Sequence, residues 1–230
     1  MNHDSFARLL LSVNDCFETV LMDSNTKPYW FVAYGALLWI CRDMKMGKAF
    51  NTDLDIACLS PCGAEVRQRF LEYGFKEKIC VENDFTGAPL EMGFEMNGFT
   101  VDIFFWHEAN GYLWHTYDYY GERKRKPSKY MFKGIPKWLV AGKTIWVVLE
   151  EIARPMPLPA QYGSLLHAWY GNWIVEDKNF GQSLGEMQVI KSCKDIPTLN
   201  PKHYYFLDMY NPEKFLAGIN GVMRERKNLQ

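Results

Sequence analysis

The sequence predicts an α+β fold in which a mixed β-sheet is flanked by helices. Three observations predict it. Short runs rich in β-branched and aromatic residues recur between turn signals. Segments with apolar residues at helical spacing stand before and among them. An Asn97-Gly98 dipeptide joins two of the apolar runs with the two residues that a tight hairpin favours.

Taken in order, residues 4–22 place Phe6, Leu9, Leu10, Val13, Phe17, Val20 and Leu21 on one helical stripe, with Asp4 or Ser5 as cap. Residues 25–28 break that helix. Residues 29–34 read as a short buried strand ending at Gly35, and residues 36–43 return to helical spacing with Leu37, Leu38 and Cys41 inward. A second strand at 54–59 and a helix at 63–73 follow. Strands are expected at 75–82, 90–96 and 99–106, and a strand at 111–117, after the Asn110-Gly111 turn, is expected to extend the same sheet. Residues 121–133 read as a basic loop, 154–160 as a Pro-rich linker, 160–170 as a helix ending at Gly171, and 212–226 as a final helix. The expectation is a single domain over 1–230, with 154–230 as a C-terminal lobe covering the cleft.

Composition narrows the function classes. Of 230 residues, 48% are hydrophobic and 23% charged, the balance of a globular chain rather than a disordered one. A net charge of −1 argues against bulk affinity for nucleic acid. No apolar run reaches the roughly 18 residues of a membrane-spanning helix. The N-terminus lacks a basic n-region and cleavage site, so the expected location is cytoplasmic, with peripheral membrane attachment as the variant. Six scattered cysteines without a CxxC pair read as reduced thiols. Cys58 and Cys62 would need His107 and His115 to make a zinc site, and packing is the preferred reading of all four.

The chemistry is expected from the segment Asp53-Leu-Asp-Ile56. On a strand, Asp53 and Asp55 share one face while Leu54, Ile56 and Cys58 share the other. Two such carboxylates raise each other's pKa unless a cation lies between them, and a hard divalent ion suits the arrangement. Asp102, within Thr-Val-Asp-Ile-Phe-Phe-Trp, lies in a run apolar enough for a central strand, where a lone carboxylate needs a partner. Placed beside the first pair, it completes a three-carboxylate site for Mg²⁺, or Mn²⁺. Ahead of it, Tyr34-Gly35-Ala36 reads as the turn from a strand into a helix. Free backbone N–H groups there make a phosphate cradle, and glycine admits close approach. No GxSxG, HExxH or Walker A pattern occurs, which removes the hydrolase, zincin and P-loop readings.

Together, Tyr34-Gly-Ala-Leu-Leu, Arg42, Thr52-Asp-Leu-Asp-Ile56, Val101-Asp-Ile-Phe-Phe105, Tyr170-Gly-Asn-Trp173 and Lys178-Asn-Phe180 resemble, in order, the motifs of the LicD/fukutin family of the nucleotidyltransferase superfamily. The run from Trp106 through the basic loop to Pro136 is most similar to the fukutin branch, and the resemblance covers about residues 29–180. It implies a nucleotidyltransferase-type fold and transfer of a phospho-alcohol, of ribitol phosphate or phosphocholine type, from a CDP-linked donor to a glycan hydroxyl. It further implies Mg²⁺ at Asp53 and Asp55, Asp102 as third ligand or base, and donor phosphates near Gly35, Ala36 and Arg42. Ala36 departs from the family's Ser or Thr, so one hydroxyl contact to phosphate is missing.

Arg42 reads either as a phosphate contact or as a structural ion pair, and Lys178 has the same two readings. Arg123, Lys124, Arg125, Lys126, Lys129 and Lys133 read as a solvated loop or as a clamp on an anionic substrate, Arg125 and Lys126 being its centre. Tyr170 and Trp173 read as core aromatics or as a stacking platform for a base or sugar. Two alternatives stand beside phospho-alcohol transfer. One is transfer of the nucleotide itself to a small molecule or protein. The other is a non-catalytic member that binds glycan or nucleotide.

Overall fold

The first apolar stripe forms helix α1 (His3–Thr19), and its inward residues Phe6, Leu9, Leu10, Val13 and Phe17 are all buried. The computed structural model describes residues 3–20, 28–43, 53–59, 62–82, 89–109, 111–120, 129–140, 144–149, 154–175 and 188–189. After α1 come β1 (Trp30–Val32), α2 (Tyr34–Asp43), β2 (Asp53–Cys58), α3 (Gly63–Glu72), β3 (Lys76–Glu82), β4 (Pro89–Met96) and β5 (Phe99–Phe105). The chain continues through β6 (His107–Ala109), β7 (Tyr112–Tyr120), β8 (Lys129–Pro136), β9 (Thr144–Leu149), β10 (Arg154–Pro159), α4 (Tyr162–Tyr170) and β11 (Gln188–Val189). A 3₁₀ turn spans Lys137–Leu139. Two compact units result: Met1–His107 with Gly142–Ala160, and Glu108–Ala141 with Gln161–Gln230.

In the first unit, the described strands form a five-stranded sheet in the order β1-β2-β5-β4-β3. It is mixed, as expected: β2 and β5 run parallel, and the other neighbours are antiparallel. The β4–β5 turn is the predicted one, with Asn97 at φ 52° and Gly98 at φ 81°, the left-handed values that a two-residue hairpin demands.

One face of this sheet is dry. Leu54, Ile56 and Cys58 of β2, Val101, Ile103 and Phe105 of β5, and Met92 and Phe94 of β4 are buried there. Helices α1 and α3 cover it. Phe17 of α1 stacks on Trp30 at 4.5 Å and meets Phe70 of α3 edge-on, while Phe70 packs on Phe94 at 4.7 Å between centroids. Each such ring removed from water contributes about 1.5–3 kcal/mol. The carboxylate face is the opposite one.

Three expectations need correction. Residues 154–160 are not a linker. They form β10, paired antiparallel with β9, a strand the sequence reading did not anticipate. Pro155, Pro157 and Pro159 alternate along β10 opposite Val148, Trp146 and Thr144. Prolines cannot donate to a ladder, so alternation spares the edge facing β9 and silences the other. β10 therefore runs alongside β1 without joining its sheet. Next, the strand after Gly111 does not extend the first sheet. It is β7, part of a separate sheet in the second unit, ordered β11-β8-β7-β6. Finally, the basic segment is not all loop. Lys129 and Lys133 belong to β8, paired with Tyr120 and His115.

The second unit is built on the β7–β8 pair, where Trp114 lies opposite Gly134. A Cβ at residue 134 would stand 2.4 Å from the Trp114 ring, so only glycine lets the indole lie flat on the neighbouring strand. Among the described residues, no helix is long and apolar enough to cross a membrane. The expected helix at 212–226 lies outside the described residues.

At the start of α3, a Cβ on Gly63 would stand 2.2 Å from Pro89 Cγ, a ring that cannot rotate away. Gly63→Ala is therefore expected to destabilise the first unit by about 1–3 kcal/mol through overpacking. Urea denaturation should show a lower midpoint with an unchanged slope.

Candidate active site

β2 and β5 position the acidic residues. Their register sets Asp53 beside Thr100 and Asp55 beside Asp102, and on the far side β4 sets Gly93 beside Asp102. Paired residues share a face, so Asp53, Asp55 and Asp102 stand together on the face opposite α1 and α3. The three predicted carboxylates are thus brought to one surface. Burial grades across them: Asp53 is exposed, while Asp55 and Asp102 are partly buried.

A fourth carboxylate joins them that the sequence reading missed. Glu91 of β4 pairs with Phe104, two residues from Asp102 on the same face, and is only 4% exposed. Its signal was present in Leu90-Glu-Met-Gly-Phe-Glu-Met96. Counting outward from the Asn97-Gly98 turn pairs Glu91 with Phe104 and Gly93 with Asp102, so the hairpin alone assigns the face.

Burial pushes the Asp102 carboxyl up to about 7, and the charges of Glu91 and then Asp53 add to the effect. Asp102 Oδ1 is buried and has no hydrogen-bond partner among the described residues.

Alongside lies the turn from β1 into α2. Ala33 N–H donates to the Asp55 carbonyl at 2.8 Å, tying this turn to β2 at the acidic residue. Tyr34 opens α2 with φ 45°, a left-handed value that is strained for a residue bearing a ring. Its ring packs edge-on against Phe104, on the carboxylate face, with centroids 6.1 Å apart. Gly35 is the second residue of the helix, exposed, with nothing within 4 Å of where a Cβ would be. The first N–H groups of any helix have no intrahelical partner, so Gly35 and Ala36 present donors at a positive helix end. The predicted phosphate cradle and the acidic face are neighbours.

Arg42 is placed otherwise. It lies in the last turn of α2, roughly 10 Å along the axis from Gly35 at the helical rise. A cation there complements the C-terminal end of the helix dipole. Tyr170 ends α4 in the second unit. Trp173 folds back on the same helix, its Nε1–H donating to the Gly163 carbonyl at 3.1 Å and its ring lying edge-on to Tyr162. Arg125, Lys126 and Lys178 lie outside the described residues.

The Cys58 and Cys62 thiols are buried, with sulfurs 3.8 Å apart. His107 Nε2 is 2.9 Å from the Pro89 carbonyl, which makes that nitrogen the donor, and His115 belongs to the second unit.

Among the described residues, no three His, Cys, Asp or Glu side chains are gathered as a closed ligand set. The acidic face nonetheless fits a hard divalent cation in its chemistry. All its donors are carboxylate oxygens, one of them buried without a hydrogen bond, and an ion would offset the burial and the repulsion that together raise Asp102.

Fold and site together define an α+β protein with an acidic sheet face beside a helix N-terminus. No family model matches the sequence, and no curated protein matches it either. Among solved structures, the chain is similar to the lincosamide antibiotic adenylyltransferase LnuA in its lincomycin-bound form. The TM-score is 0.44 at 14% identity, over 75% of this chain and 90% of that one.

The raised Asp102 carboxyl has a measurable consequence. Its pKa is higher folded than unfolded, so its penalty on stability is absent below about pH 4, grows as pH rises, and is complete above about 7. Asp102→Asn should therefore match the parent near pH 4 and exceed it at pH 8, by up to ~4 kcal/mol. Urea titrations at the two pH values check this. Millimolar Mg²⁺ at pH 8 should narrow the gap by stabilising the parent alone.

Gly35→Ala separates stability from binding. With open space around it and an ordinary φ, the alanine should raise helix stability by about 0.5–1 kcal/mol. It should also weaken binding of a nucleoside diphosphate by crowding the cradle, which calorimetry would record.

Proposed function

We propose that this chain is a transferase of the nucleotidyltransferase type, moving a phosphorus-centred group from a nucleotide donor to an acceptor hydroxyl with a divalent ion. One observation carries the reading: Asp53, Asp55 and Asp102 share a sheet face beside the α2 N-terminus, with Ala33 N–H bonded to the Asp55 carbonyl. Phosphoryl transfer asks for charge neutralisation and positioning more than for covalent chemistry, and this face supplies both.

Asp53, Asp55 and Asp102 would hold Mg²⁺, or Mn²⁺ in its place. The ion would neutralise the donor phosphates and stabilise the leaving oxygen. The N–H groups of Gly35 and Ala36 would receive phosphate oxygens. Asp102 would serve as third ligand or, where Asp53 and Asp55 hold the ion without it, would take the proton from the acceptor hydroxyl at its unpartnered oxygen. Glu91 holds that carboxyl high by its charge and is a positioning residue.

Within this class, the sequence resemblance to the LicD/fukutin family supports transfer of a phospho-alcohol from a CDP-linked donor to a glycan. Transfer of the nucleotide itself uses the same residues and differs in which phosphorus is attacked. Incubation with Mg²⁺ and either CDP-ribitol or CDP-choline, followed by ³¹P NMR, separates them. CMP release identifies phospho-alcohol transfer, pyrophosphate release from nucleoside triphosphates identifies nucleotidyl transfer, and binding without turnover identifies a non-catalytic member.

Asp55→Asn should lower turnover by roughly 10²–10⁴-fold while leaving the free energy of unfolding in urea within ~1 kcal/mol of the parent. Full activity in that variant would remove the carboxylate face from the reaction.

A further inference from the structure

A free strand edge can pair with another chain, and proteins blunt such edges by keeping them short, charged or proline-bearing. The described edges of this chain follow that rule with one exception. In the five-stranded sheet, β1 has three residues and β3 carries Lys76, Glu77, Lys78 and Glu82. In the β11-β8-β7-β6 sheet, the outer strands β6 and β11 have three and two residues. In the two-stranded sheet, β10 turns its prolines to its outer side. β9 has none of these devices: Thr144-Ile-Trp-Val-Val-Leu149 is six residues without a charge or a proline.

The prolines of β10 also fix which groups of β9 face outward. An antiparallel ladder alternates pairs that exchange both N–H···O=C bonds with pairs that exchange none. Pro155, Pro157 and Pro159 have no N–H, so their partners Val148, Trp146 and Thr144 stand in pairs of the second kind. Ile145, Val147 and Leu149 are left to bond with β10. The N–H and C=O groups of Thr144, Trp146 and Val148 therefore point to the opposite edge, where no described strand lies. Along the same stretch the Trp146 and Val148 side chains are 54% and 62% exposed. Backbone donors and apolar side chains are thus offered together.

We infer that a second copy of this chain occupies that edge, the two β9 strands pairing antiparallel about a two-fold axis at Val147. The joined hairpins form a four-stranded sheet, β10-β9-β9-β10. Outward-facing groups bond only to outward-facing groups, so the axis must pass through a residue position. At Val147 it sets Trp146 opposite Val148 of the second copy, and the reverse, two aromatic–β-branched pairs on one face. Charge is complementary in the same register. Lys143 precedes the strand in sequence and Glu151 follows it, and the count sets each opposite the other across the joint. An axis at Trp146 would instead oppose the two indoles and bring Lys143 to Leu149. The strand and its flanks complement themselves, which names a second copy as the occupant.

Sedimentation velocity of the full chain over roughly 1–200 µM tests this. A single strand pair is a small interface, so the mass should rise from one chain toward two with a Kd on the order of 10 µM. Trp146→Lys together with Val148→Lys puts four lysines on one face of the joint and should leave a monomer throughout. Its urea midpoint should stay near the parent's, because both side chains are exposed. Lys143→Glu and Glu151→Lys should each weaken the dimer roughly threefold to tenfold, and the chain carrying both should recover the parent's affinity. A parent that stays monomeric across the range, a dimer that survives the two lysines, or charge reversals that do not compensate each other would overturn the pairing.

Discussion

Asp102 is a partly buried carboxyl group with one oxygen shut off from water, on a central strand flanked by β2 and β4, and much of the first unit can be understood as the means of keeping it there. A shift from the ordinary carboxylate range to about 7 corresponds to ~4 kcal/mol of disfavoured ionisation. The opposite face of the sheet offsets it. Leu54, Ile56, Val101, Ile103, Phe94 and Phe105 are each buried, and at about 1.5–3 kcal/mol apiece two or three of them suffice. The alternation of a strand makes this possible, since the same six residues of β2 present aspartates to one side and aliphatics to the other. A dry back and an acidic front are one design.

Much of this was legible in the sequence because period-two alternation and the Asn97-Gly98 turn are local signals. The pairing of β4 with β5 follows from the turn, and Glu91 would have followed from the same count. The parallel neighbourhood of β2 and β5 has no such local signature, because the residues that set it lie more than forty positions apart. It was expected only because a buried Asp102 needs company. The burial gradient from Asp53 to Asp102 was beyond reach for the same reason: it depends on what the rest of the chain lays over the sheet.

The misreadings share a physical cause. Pro-rich stretches usually mark linkers because proline withholds a backbone donor. In β10 the prolines fall at every second residue, which leaves one edge fully competent to pair. The composition is that of a linker and the spacing is that of a strand. Likewise the basic segment was judged by charge, although the alternating tyrosine and phenylalanine of Lys129–Pro136 make half of a hairpin. In both places period carried more information than composition.

The strained opening of α2 connects these points to chemistry. A tyrosine at φ 45° is held there by its neighbours: the Ala33–Asp55 hydrogen bond on one side and the Tyr34–Phe104 contact on the other. A glycine at residue 34 would adopt that φ without strain, yet the glycine stands one residue later, where φ is ordinary and the space around it is open. Conformational freedom therefore does not explain Gly35. What remains is access: a side chain there would project into the space beside the first N–H groups of the helix, where a phosphate would sit. The tyrosine accepts strain so that its ring can close one wall of the acidic face, and the glycine keeps the adjoining wall open. The position of that glycine leaves the approach to the first N–H groups of α2 open.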